Sequence, residues 1–174
     1  SSDLDSVAPF ALRLWVPDQT SPLGLWLAMY AYAAQIYFDF SGYSDLAIGA
    51  GRLLGYRVPE NFDWPYLAPD LPTFWRRWHI TLGAWMRNYL YIPLGGNKVS
   101  KSRLYFNLWL VFLASGFWHG ASWNFIIWGA FHGFFLVIER AFLLRWFEKI
   151  PSLIKTLFTF IVVMIGWVFF RLDA

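Results

Sequence analysis

The sequence predicts an all-α fold: a polytopic bundle of membrane helices with an amphipathic helix at the interface. Three observations carry this. Of the 174 residues, 58% are hydrophobic and 22% aromatic but only 14% are charged, where a soluble domain carries about 25% charge. Too few charges remain to clothe a water-soluble globule. Uncharged runs of membrane-crossing length recur along the chain, and between them lies a stretch whose apolar residues repeat at helical period. With 18 Phe, 12 Trp and 9 Tyr, intrinsic disorder is excluded, because disordered chains lack such buriable area. The absence of Cys removes disulfides, thiolate metal sites and cysteine nucleophiles together.

Each element follows in order, within one partial domain over 1–174. Residues 1–18 are mixed and lack the basic and apolar regions of a secretory signal, so the chain reads as an internal start. The first span is expected over 19–40, where Gln19 to Phe38 carries no charge. A small-residue turn at Ser41-Gly42-Tyr43-Ser44 should follow, then a short helix from Asp45 to Leu54, stopped by Gly55. Pro59, Pro65 and Pro69 mark an irregular loop to Asp70. An amphipathic helix is expected over 71–91: Leu71, Phe74, Trp75, Trp78, Leu82, Trp85, Met86 and Tyr89 all fall within about 60° of one another's mean direction on a helical wheel. Arg76 and Arg87 lie on its far face, Arg77 off the stripe and His79 at its edge, which suits a helix resting in the interface. The uncharged run from Leu104 to Ile138 is too long for one ordinary span and breaks at Gly116-Phe117-Trp118-His119-Gly120-Ala121-Ser122. A helical hairpin over 104–118 and 122–144 is therefore expected, with a last span over 150–170. Between Asp70 and Glu139 there is no acid but six Arg and Lys, which puts the Arg76–Arg103 region on the cytoplasmic side.

Few residues can carry chemistry. His119 sits among small residues in the longest apolar run, where it is either a desolvated general base or a hydrogen-bonded His at a helix end near the headgroups. His79 is either a second polar group of the same cavity or an interfacial His on an amphipathic helix, the reading that periodicity alone favours. His132 reads as a structural donor to a neighbouring carbonyl. Asp39 and Asp45 could form a proton relay or bind an ion, although pairing with Arg52, Arg76 or Arg77 at a span end is the simpler account. No metal is expected, since His119 and His132 stand about 220° apart on a helix and no carboxylate triplet lies near. Three scattered His argue against haem. Nucleic acid is not an expected partner, because the basic residues do not interleave with the aromatics on a solvated face.

Several strings, taken together and in order, resemble the membrane-bound O-acyltransferases, in particular their alginate O-acetylation branch. They are Gln35 to Asp45 (QIYFDFSGYSD), Pro59-Glu60-Asn61-Phe62, Phe74 to Ile80 (FWRRWHI), Tyr89 to Gly96 (YLYIPLGG) and Trp118 to Asn124 (WHGASWN). The resemblance implies a multi-pass protein of the bacterial inner membrane that transfers an acyl group from a thioester to a hydroxyl. It marks His119 as the catalytic residue and His79 as its upstream polar partner. Arg76, Arg77, Trp118, Asn124 and Tyr43, in or beside the matched strings, become the expected substrate-binding residues. The implied donor is acetyl-coenzyme A or another acyl thioester, with no tightly bound cofactor. The implied partners are membrane lipids and a polysaccharide acceptor such as alginate or a periplasmic acetyl-relay protein. Family members are longer, so the chain is expected to be an internal fragment. A non-catalytic membrane conduit or scaffold remains the alternative.

Overall fold

A computed structural model describes residues 21–143 and 147–171. Residues 19, 20 and 144, at the edges of two expected spans, lie outside them, as does the expected internal start. Among the described residues there are six α-helices and no strand: α1 (Pro22–Leu53), α2 (Leu71–Arg77), α3 (Ile80–Met86), α4 (Lys101–His119), α5 (Trp123–Ile138) and α6 (Ser152–Arg171). Two stretches among the described residues are long and apolar enough to cross a membrane, Trp123–Leu143 with mean hydropathy 1.5 and Ser152–Arg171 with 2.2. Only a third of each apolar window is buried within the fold, which leaves broad apolar flanks of the kind lipid covers.

Helix α1 starts where Ser21 caps it, the hydroxyl accepting from the Gly24 amide at 3.2 Å, with Pro22 in the first turn. It departs from expectation by running unbroken through Ser41-Gly42-Tyr43-Ser44. Nothing there is obliged to leave the helix. The Ser41 hydroxyl donates back to the Phe38 carbonyl within the helix, and a single Gly costs only about 1 kcal/mol relative to Ala. The chain turns out of the helix at Gly55, whose φ is +81°. Asp39 and Asp45 are exposed on α1 and pair with none of the expected arginines. The ion pair found among the described residues is Arg77 to Asp63 at 3.9 Å.

The expected continuous helix over 71–91 is instead broken. Asp70 caps α2, its carboxylate accepting from the Thr73 amide at 2.6 Å, and α2 ends at Arg77. His79 then takes a left-handed conformation with φ +47°, α3 begins at Ile80, and the last turn, Arg87–Tyr91, is π-helical. The cause is distant in sequence. Asn61, Phe62 and Asp63 run alongside Arg77–Thr81, with Phe62 and Trp78 forming an isolated antiparallel bridge. The Asp63 amide donates to the Arg77 carbonyl and the Ile80 amide to the Asn61 carbonyl, each at 3.1 Å. These bonds replace the intrahelical ones that a continuous helix would make.

Helices α4 and α5 form an antiparallel pair joined through Gly120–Ser122. They approach backbone to backbone. A methyl added at Gly116 would strike the Phe125 carbonyl oxygen, and one at Gly129 would strike that of Phe112. Helix α2 is wedged against α5, and α6 closes the core, with Leu71, Phe74, Trp128, Val163, Met164 and Trp167 at most 2% exposed. Two aromatic pairs, Trp78 with Trp167 at 4.8 Å and Trp75 with Trp128 at 5.5 Å, are worth roughly 0.5–1.5 kcal/mol each beyond burial. The buried Glu139 carboxylate accepts from the Leu71 amide at 3.1 Å and so ties the start of α2 to the end of α5. His132 corrects another expectation. It is fully buried and neither ring nitrogen has a hydrogen-bond partner among the described residues. Its ring packs edge-on against Trp75 and Trp128 and sits over Gly166, so it fills space and donates to no carbonyl.

Candidate active site

The break after α2 and the turn after α4 bring His79 and His119 to one cavity of about 480 Å³. His79 caps α3 in a backbone conformation that costs a non-glycine residue roughly 1–3 kcal/mol and that folds retain where the surroundings over-determine it, often at functional sites. Its ring packs edge-on against Phe40 at 4.7 Å. His119 is the last residue of α4, held against Trp128 and Phe170, each at 5.2 Å between ring centres. The Trp118 ring packs against both imidazoles, its centre 6.1 Å from that of His79 and 4.9 Å from that of His119. Forty residues of sequence separate groups that share one wall.

Both imidazoles lie outside the two membrane-length helices. Burial, with a smaller contribution from the neighbouring His79, pulls the His119 pKa down to about 4. Burial also lowers that of His79. A ring so placed is neutral at physiological pH and can accept a proton. Among the described residues no acidic one lines the cavity, whereas Arg76, Arg87 and Arg140 do. The Arg76 guanidinium donates to the Thr73 hydroxyl at 2.7 Å, and Arg140 is steadied by the Asn97 side chain at 3.1 Å. The cavity therefore joins a proton-accepting region to a wall suited to an anion. No group of three or more His, Asp or Glu that could hold a metal occurs among the described residues.

The other expected site residues divide. Arg76 lines the cavity, while Trp118 lines a shallower adjoining recess that it shares with His79. Arg77 turns to Asp63 and Tyr43 is 70% exposed, and neither lines the cavity. Nor does Asn124, whose backbone amide donates to the capping Ser122 hydroxyl in the first turn of α5. Arg87, Arg140 and Asn97 were missed. For Arg87 a signal existed: eleven residues, about three turns, separate it from Arg76, so a continuous helix would put the two on one face; the helix is broken between them, yet both line the cavity.

Comparison with known proteins places the chain in a family. The sequence profile of MBOAT, the membrane-bound O-acyltransferase family, matches residues 15–172, and the chain belongs to that family. It is 49% identical over 169 residues to a probable alginate O-acetylase of Azotobacter vinelandii, covering 97% of this chain and 34% of the relative. A probable alginate O-acetylase of Pseudomonas putida is 52% identical, with 97% and 35% covered. A peptidoglycan O-acetyltransferase of Helicobacter pylori is 49% identical over 149 residues, with 84% and 28% covered. The chain thus spans about a third of the length of these relatives.

Proposed function

We propose that this chain carries the reacting groups of a multi-pass O-acyltransferase of the bacterial inner membrane, one that moves acetyl from a thioester to the hydroxyls of an extracytoplasmic polysaccharide such as alginate. The observation that carries the reading is the convergence of His79 and His119 on one cavity. His119 takes the proton of the acceptor hydroxyl as its oxygen attacks the thioester carbonyl carbon. The C–O bond forms, the tetrahedral oxyanion is held by the hydrogen-bond donors around it, with His79 orienting the reactants, and collapse breaks the C–S bond. The departing thiolate recovers the proton from the His119 imidazolium, so protons balance over the cycle. Transfer is direct, without an acyl-enzyme, in keeping with a chain that has no Cys.

The arginine wall is the donor side. Coenzyme A and carrier-bound pantetheine thioesters both bear phosphate, which Arg76, Arg87 and Arg140 suit. The acceptor is the polysaccharide itself or a periplasmic protein that relays acetyl to it.

The test is labelled acetyl transfer in membrane vesicles from acetyl-coenzyme A to polysaccharide, comparing the intact protein with His119→Ala at equal membrane levels. A general base lost should lower transfer by roughly 10²–10⁴-fold. Unchanged transfer would place the chemistry in a partner and leave this protein as a conduit or scaffold.

A further inference from the structure

The left-handed backbone of His79 is held by the strip of loop beside it, to which Asn61 contributes through both its backbone and its side chain. The Asn61 carbonyl accepts the Ile80 amide at 3.1 Å. The Asn61 side-chain oxygen accepts both the Thr81 amide at 3.2 Å and the Thr81 hydroxyl at 2.7 Å. Asn61 thereby meets two backbone donors that the first turn of α3 would otherwise leave open. These are the two residues that directly follow His79. The next residue, Phe62, continues the same support: it packs edge-on against Phe40 at 5.0 Å, and Phe40 packs edge-on against the His79 ring at 4.7 Å. Backbone and ring of His79 are thus both braced from one strip of loop.

We propose that Asn61 is a positioning residue for acyl transfer, fixing the imidazole of His79 at the cavity through the backbone turn that its three hydrogen bonds impose. The inference rests on the functional reading of His79 above. Asn61 itself does not line the cavity, so it touches neither substrate. Without its side-chain bonds the α2–α3 junction keeps only the backbone bonds to Asn61 and Asp63 and is loosened towards the continuous helix that its apolar periodicity favours. His79 would then swing away from its place on the cavity wall. Displacements of about 1 Å at a reacting centre cost on the order of 10²-fold.

The experiment is a double-mutant cycle on transfer by the intact protein in its membrane, with Asn61→Leu, Asn61→Asp, His79→Ala and the Asn61→Leu/His79→Ala pair at matched membrane levels. Asn61→Leu keeps the shape and loses the acceptor, and should lower kcat by about 10–100-fold with the donor KM within about twofold. Asn61→Asp keeps an acceptor and should stay within about threefold of the parent. On the His79→Ala background Asn61→Leu should cost less than about twofold, since it acts through a ring no longer there. An equal cost with and without His79, or Asp as damaging as Leu, would overturn the proposal. If Asn61→Leu does not accumulate, Thr81→Val removes one of the three bonds and is subject to the same comparison. A His79→Ala variant with parental transfer would refute the functional reading of His79 itself. A defective His79→Ala beside an unimpaired Asn61→Leu would refute the positioning role alone.

Discussion

Substituting Gly116→Ala should displace His119 without touching it. A methyl at that position would strike the Phe125 carbonyl oxygen, with the carbonyl carbon at 3.0 Å and the Gly129 Cα at 3.4 Å. The obstacle is backbone from α5, which cannot rotate aside as a side chain could, so α4 and α5 must move apart by about 1 Å to restore ordinary contact. Overpacking of this kind costs about 1–3 kcal/mol. Gly116 lies one turn from His119 on α4, and Phe125 and Trp128 on α5 form part of the wall around that imidazole. The separation is therefore carried to the reacting nitrogen, where about 1 Å is worth on the order of 10²-fold in rate. Gly129→Ala, which meets the Phe112 carbonyl from the other side, should act alike. Gly42→Ala and Gly49→Ala are the controls, because nothing lies within 4 Å of a methyl at either. They should stabilise α1 by about 0.5–1 kcal/mol and leave transfer unchanged. The assay is acetyl transfer in vesicles, with unfolding of the detergent-solubilised protein alongside. Normal transfer by Gly116→Ala at normal stability would refute the idea that close helix contact sets the site.

Three further outcomes are expected. Because His119 titrates near 4 rather than its ordinary 6.5, transfer should hold steady as pH falls from 7 to 5 and be lost through about 4; half-loss near 6.5 would contradict the buried placement. The unfolded chain binds the proton that the folded one refuses, so stability too should fall as pH drops from about 6.5 towards 4. Glu139→Leu should destabilise by about 1–3 kcal/mol by orphaning the buried Leu71 amide, whereas Glu139→Gln keeps an acceptor and should cost far less, both read by denaturant or thermal unfolding. Arg87→Gln and Arg140→Gln should each raise the KM for a phosphate-bearing thioester by about tenfold, with kcat little changed and with the difference shrinking at high salt.

How much of this was legible in the sequence depends on whether the cause was local. The reversal between α4 and α5 falls at Gly120 to Ser122, within the small-residue break that the sequence shows, whereas Gly116 stays inside α4 and serves its close approach to α5. The break at His79 is invisible along the chain because the apolar stripe continues in phase through Trp78 to Leu82. It arises from hydrogen bonds to Asn61, some twenty residues away. The opposite error occurred in α1, where Ser41, Gly42 and Ser44 look like a turn, yet one helix carries all three. Polarity misled in a similar way at the site. Arg87 was placed on a face turned from the core, yet in the broken helix it lines the cavity. Arg140 reaches the same cavity from the end of α5, sixty-four residues from Arg76, a juxtaposition that only tertiary packing reveals.

The most direct test of the account is acetyl transfer by the His79→Ala and His119→Ala single variants and by the pair, each inserted in the membrane to the same level. If the two imidazoles serve one step in one cavity, His119→Ala should remove most of the rate and the double variant should be little worse, since groups that act as a unit do not lose rate multiplicatively. Losses that simply multiply would contradict a shared site, and parental transfer by the double variant would contradict catalysis by this chain.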